Sequence, residues 1–158
     1  MTDYRELCDS LESLTRDVPH IVSNLANASA LLYHTLPDIN WAGFYLFDGK
    51  QLVLNAFQGK PACITIPLSR GVCGAAASRR ETVVVPNVHE FEGHIACDGA
   101  SKSEIVVPLI VHGTLFGVLD IDSPSLDRFS ENDRQGLEKF AEILCREIEK
   151  TLKKEADR

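Results

Sequence analysis

Apolar residues recur at helical spacing toward both ends of the chain and alternate with polar ones through its middle. Leu7, Leu11 and Leu14 form a stripe at steps of four and three, which predicts a helix from Tyr4 to about Thr15. Ile21, Leu25, Ala28 and Leu32 predict a second over residues 19–36, with Pro19 suited to its first position and Pro37 to its stop. Near the C-terminus Ser130 followed by Asp133 resembles a capping box, with Asp in the place of the usual Glu or Gln. Leu137, Phe140, Ala141, Leu144, Ile148 and Leu152 then share one face of a helix expected over about 130–153.

Strand-like runs fill the interval, at residues 41–47, 52–58, 63–67, 82–85, 105–111 and 114–121. Asp48-Gly49-Lys50 and His112-Gly113 are turn signals, each joining two runs into a hairpin. A short helix beginning near Gly71 and running to Arg79 fits between two strands. Residues 86–103 are polar and irregular, and a loop of that length inside a compact domain is often functional. The pattern predicts one α+β domain over residues 1–158: helices over about 4–36, a hairpin-rich antiparallel sheet with its loops over about 41–122, and the C-terminal helix.

With 158 residues the chain is long enough for one core without staples. A hydrophobic share of 44% and a charged share of 25% exclude a disordered tail, a fibre and a disulfide-dense miniprotein. The net charge of -7 and the lack of a basic run argue against a partner tracked by its phosphates, so no nucleic acid is expected. No apolar run reaches the length of a membrane span, and the polar N-terminus carries no signal core, so a cytoplasmic location is expected. There thiols are kept reduced, and any disulfide would be transient and catalytic.

That makes the five cysteines informative. Cys8 and Cys145 fall within predicted helices and read as small buried hydrophobes. Cys63, Cys73 and Cys97 read as strand-edge and loop residues. Cys97 lies in the polar run His94-Ile95-Ala96-Cys97-Asp98-Gly99, where His94, Lys102 and backbone N–H groups would favour a thiolate and Asp98 would oppose it. The three cysteines with His94 could form a zinc set, but no C-x₂₋₄-C knuckle is present, so no metal is expected. Alternation puts Asp120 and Asp122 on one strand face beside Val118 and Phe116, with Leu115, Leu119 and Ile121 on the other. The hairpin at Gly113 would bring Glu104 alongside them. Three neighbouring carboxylates repel, so one could hold a proton at neutral pH, or the group could bind an ammonium; a merely solvated cluster is the third reading. Trp41, Gly43, Tyr45 and Phe47 share a face opposite Ala42, Phe44 and Leu46, so the Trp41 side is either core or pocket wall.

The strings Gly71-Val72-Cys73-Gly74, Pro86-Asn87-Val88-His89, His94-Ile95-Ala96-Cys97-Asp98, Ser101-Lys102-Ser103-Glu104 and Gly117-Val118-Leu119-Asp120-Ile121-Asp122-Ser123 together resemble the free methionine-(R)-sulfoxide reductases, which are GAF-domain enzymes. The resemblance implies an antiparallel sheet of about six strands with the terminal helices on one face and the ligand pocket on the other. It implies Cys97 as nucleophile, Cys63 as resolving cysteine and Cys73 as an auxiliary or alternative resolver. Trp41 and Tyr45 would receive the substrate's methyl end, while Glu104, Asp120 and Asp122 would hold the ammonium and the sulfoxide oxygen, with Glu104 or Asp122 donating the proton. A redox-active disulfide recycled by thioredoxin, no cofactor and a role against oxidative stress follow from the same resemblance. Joining Cys63 to Cys97 would also require loop 86–103 to close over substrate. The alternative is a non-catalytic GAF module that binds a small molecule or dimerises; dimerisation through a helix face is compatible with the enzyme as well.

Overall fold

The structure is a computed structural model, and it describes residues 1–94 and 99–158. Three helices cover one face of the sheet: α1 (Tyr4–Thr15), α2 (Ile21–Thr35) and α4 (Glu131–Ala156). The six strands are β1 (Trp41–Phe47), β2 (Gln51–Gly59), β3 (Thr65–Pro67), β4 (Val83–Val85), β5 (Ser103–Val111) and β6 (Thr114–Ser123). They form one sheet in the order β3-β2-β1-β6-β5-β4, and every pairing is antiparallel. Helix α3 (Gly71–Arg79) lies on the opposite face, over β5 and β6.

The elements start where local chemistry directs. Asp3 caps α1 by accepting from the N–H groups of Arg5 and Glu6. Ser130 and Asp133 close a reciprocal capping box at α4 despite the shorter acid. The expected start of α2 at Pro19 is corrected: Asn24 N–H donates to His20 O, so the helix begins at Ile21 and Pro19 stays outside. In the β5–β6 hairpin His112 and Gly113 both take positive φ, as a two-residue turn of matching twist requires.

The sheet divides the apolar interior in two. On the helix side Leu11, Leu25, Leu32, Phe44, Leu119, Ile121, Phe140 and Leu144 are fully buried. On the other side Trp41, Tyr45, Val72, Cys73, Val106 and Val118 pack together beneath α3. The expected facing of β6 holds for Val118, Leu119, Asp120, Ile121 and Asp122, but not for its first half. Phe116 packs on the helix side and Leu115 on the α3 side. A register shift explains the exchange: Leu109 pairs with Gly117 and Ile110 with Leu115, and the extra residue inverts the alternation.

Candidate active site

A small cavity, about 40 Å³ in volume, opens on the α3 side of the sheet. Its walls come from β1, β5, β6, the start of α3 and the segments before β3 and β5. Trp41, Tyr45, Cys73, Glu104, Asp120 and Asp122 all line it.

Sheet register assembles the acidic floor. Glu104 on β5 stands directly opposite Asp122 on β6, and Asp122 in turn is opposite Trp41 on β1. Asp120 lies two residues along, opposite Gly43 and Val106. Glu104 and Asp120 are only 7% and 6% exposed, so their charges are poorly hydrated. Burial, then the Asp120 and Asp122 carboxylates, push the Glu104 carboxyl well above its ordinary range. Burial also raises Asp120, but hydrogen bonding with Glu104 and with Cys73 pulls it back down. Both carboxyls are thus raised, and burial with two like charges beside it favours the protonated form of Glu104.

The aromatic wall differs from expectation in its polar ends. Trp41 Nε1 donates to Lys60 O at 3.1 Å, and the Tyr45 hydroxyl donates to Cys63 O at 3.0 Å. These groups face the backbone that carries Cys63 rather than the cavity, so the two aromatics position that cysteine. The Tyr45 phenol is pushed far up by burial and by the nearby carboxylates, and stays a donor at any ordinary pH. A third ring, Phe57 on β2, stacks on Trp41 with centroids 5.2 Å apart and planes at 15°. It was missed because strict alternation from Leu52 assigns Phe57 to the helix side. A register shift between Gly43 and Tyr45 turns it over, and a Cβ at Gly43 would come within 2.3 Å of the Phe57 Cβ.

Among the described residues Cys8, Cys73 and Cys145 carry free thiols, and all three are buried. Cys63 is disulfide-bonded. It lies in an irregular segment before β3, which begins only at Thr65; Pro61 nearby has no N–H to extend the ladder. Cys73, grouped with the strand-edge and loop cysteines, sits in the first turn of α3, the short helix expected to begin near Gly71. Burial and the Asp120, Glu104 and Asp122 carboxylates push its thiol well up, so it is a poor nucleophile where it stands. Cys97 and Asp98 lie outside the described residues. His94 lines the cavity, but burial and neighbouring His89 lower its pKa, leaving it neutral at pH 7 and no source of positive charge for a thiolate.

The zinc set weighed above cannot be assembled from the described residues, since it includes Cys97. A different group could hold a metal ion: Cys73 Sγ and a carboxylate oxygen from each of Glu104 and Asp120 lie within 4.8 Å of one another. Burial and mutual repulsion raise the Cys73 thiol and the Glu104 carboxyl, so a metal held there would have to displace their protons. Among the described residues no helix is long and apolar enough to cross a membrane.

An antiparallel six-stranded sheet with terminal helices on one face and a ligand cavity under a short helix on the other defines the GAF domain, and the GAF-domain profile matches residues 10–148. The free methionine-R-sulfoxide reductase of Escherichia coli is 50% identical over 149 residues, 94% of this chain and 88% of that protein. The Saccharomyces cerevisiae enzyme of the same name is 46% identical over 88% of this chain and 82% of its own length. The Neisseria meningitidis free methionine-R-sulfoxide reductase, solved in complex with its substrate, superposes with a TM-score of 0.92 at 45% identity, covering 95% of this chain and 90% of that one. The chain belongs to the free methionine-(R)-sulfoxide reductase family of GAF-domain proteins.

Proposed function

We propose that this chain reduces free L-methionine-(R)-sulfoxide to methionine by thiol chemistry, with Cys97 as nucleophile. The observation that carries the reading is the buried Glu104 carboxyl, raised by burial and by two flanking carboxylates in a cavity with an aromatic wall. A sulfoxide sulfur is a poor electrophile until its oxygen is protonated. A carboxylic acid kept neutral at pH 7 is a suitable donor.

The positions of the acids suggest a division of labour. Asp120, hydrogen-bonded with Cys73, is suited to the substrate ammonium. The Glu104–Asp122 pair, beside Trp41, is suited to the sulfoxide oxygen, with the methyl group against Trp41. Glu104 protonates that oxygen as the Cys97 thiolate attacks sulfur. The oxygen passes to Cys97 as a sulfenic acid, methionine sulfur gains two electrons, and Cys97 sulfur loses two. Cys63 then attacks the sulfenic acid, water leaves, and a Cys63–Cys97 disulfide forms, to be reduced by a thioredoxin-type dithiol. The disulfide-bonded state of Cys63 and its backbone anchor on Tyr45 support the resolving role. Cys73 is a free buried thiol whose part is auxiliary. No cofactor or metal enters these steps, and a cytoplasmic location would supply the reductant.

An acidic floor favours the free amino acid. In a peptide the substrate nitrogen is an uncharged amide, and Asp120 would be left buried and unpaired. The test is NADPH oxidation coupled through thioredoxin and its reductase. Free L-methionine-(R)-sulfoxide should turn over, while the (S) epimer, the N-acetylated substrate and the Cys97→Ser protein should not. A reduced, folded protein that turns over none of these substrates would sink the enzyme reading and leave a binding module.

A further inference from the structure

We infer that the outer edge of β3, with exposed Ile64 at its centre, is the surface on which a dithiol protein docks to reduce the disulfide of Cys63. The inference rests on the proposed thiol chemistry and names where its reductant binds.

Ile64 follows Cys63 directly and is 70% exposed, whereas Ile66, two residues on, is 5% exposed and packs in the cavity-side cluster. Ile64 does not line the cavity, so the substrate does not account for its exposure. A quarter of the chain is charged, yet residues 61–69 carry no charge. In that run Pro61, Ile64, Thr65 and Pro67 are exposed, and Ala62 and Cys63 are half-buried. A contiguous apolar strip of this kind marks an interaction surface, where a single exposed residue would not.

The backbone points the same way. Strand β3 is outermost, and among the described residues no strand lies beyond it. Leu54 N–H donates to Ile64 O at 2.8 Å, and Thr65 stands opposite Val53. Hydrogen-bonded residues alternate along an antiparallel pair, so Thr65 turns its own N–H and C=O outward. Pro67, the next residue facing that way, has no N–H to offer. The edge therefore accepts a short backbone bridge from a docking loop but not a full added strand.

Chemistry selects the occupant. Cys63 is disulfide-bonded and half-buried, and the Tyr45 hydroxyl holds its backbone. A protein that reduces it must bring a thiolate to Sγ and so covers the residues beside it. Lys60 and Arg70, both exposed, bound the strip in a chain of net charge -7, so this stretch does not repel an acidic partner. The thiolate of the reductant attacks Cys63 Sγ, the bond to Cys97 breaks, and Cys97 leaves as a thiolate. The second thiolate of the reductant then attacks its own sulfur in the mixed disulfide and frees Cys63. Two electrons pass from the dithiol, which becomes a disulfide, and its two protons end on Cys63 and Cys97.

Reduction by thioredoxin, with dithiothreitol as the small dithiol for comparison, reads this surface apart from the catalytic site. Ile64→Glu should raise the KM for thioredoxin roughly tenfold or more, since it places a charge at the centre of the contact. Turnover driven by dithiothreitol and the KM for methionine sulfoxide should stay within about twofold, and Ile64→Leu should match wild type with either reductant. A folded Ile64→Glu with unchanged thioredoxin KM, or an equal loss with both dithiols, would overturn the inference. Wild-type protein supplies a check that needs no variant. Thioredoxin retaining only its attacking cysteine should be trapped as a mixed disulfide on Cys63, and capture on any other cysteine would also overturn the inference. Reduction of the disulfide can be followed by stoichiometric NADPH oxidation without any sulfoxide. A loss confined to thioredoxin, in a protein that turns over no sulfoxide, would keep the docking surface and discard the reductase. A disulfide that dithiothreitol reduces and thioredoxin does not would discard the docking surface and leave the reductase.

Discussion

At the scale of single residues, Glu104 carries opposed demands. Its carboxyl ionises near pH 4.3 in an unfolded chain but holds its proton to much higher pH in the fold. The native state then binds more protons, so stability falls as pH rises from about 4.3 toward the native pKa. Glu104→Gln keeps the shape and removes the titration. Its Tm should exceed wild type at pH 7, with the gap closing below about pH 4, while kcat falls roughly 10²-fold or more for lack of the acid. Equal Tm values at pH 7 would show that Glu104 is ionised without penalty. Tyr45→Phe tests the anchor on Cys63. It removes a hydrogen bond worth about 1 kcal/mol and should slow disulfide formation in steady-state turnover, while a single turnover that ends at the sulfenic acid keeps its rate. The carboxylate face was legible because β6 alternates strictly from Val118 onward. The use of the Trp41 and Tyr45 polar atoms was not, since their acceptors at Lys60 and Cys63 belong to a segment without regular structure.

At the scale of elements, α4 is fixed to the rest of the fold through Asp133. Its carboxylate accepts from the Ser130 N–H and hydroxyl, from Arg128 Nη1 at 3.0 Å, and from the Tyr4 hydroxyl at 2.6 Å. Arg128 in turn donates to Pro37 O, so one side chain ties together α1, the α2–β1 connection and α4. Burial alone would raise the Asp133 pKa, but the Tyr4 and Ser130 hydrogen bonds and Arg128 together hold it below the ordinary range. A depressed carboxyl stabilises above its unfolded pKa of about 3.9, and that contribution is lost as pH falls through the lower native value. Asp133→Ala should cost about 3 kcal/mol in urea unfolding at pH 7, because Arg128 and Tyr4 lose their acceptor. The loss should shrink in strong acid. Gly136→Ala should also destabilise, although alanine favours helices by about 1 kcal/mol; its Cβ would fall 2.1 Å from the Tyr4 ring. The capping box and both hairpin turns could be read from the sequence, since each depends on residues adjacent in the chain. The two register shifts could not, because strand pairing across the sheet decides them, and with them went Phe57 and the facing of Phe116.

At the scale of the whole molecule, the sheet separates what holds the fold from what performs the chemistry. The larger apolar cluster lies with the terminal helices, the smaller one lines the cavity. The division into two faces was foreseen from the family resemblance, while the role of α3 as roof needed coordinates, because nothing in Gly71-Val72-Cys73 says what stands across from it. The burial of Cys8, Cys73 and Cys145 has a practical consequence. Each thiol is raised by its burial, Cys145 to about 12, so none offers much thiolate to a reagent at neutral pH. Three of the five sulfurs are therefore silent in the native state. Under the proposed thiol mechanism, titration of the folded protein with a chromogenic disulfide should gauge its oxidation: near zero equivalents before reduction, near two after it, and the full complement only in denaturant.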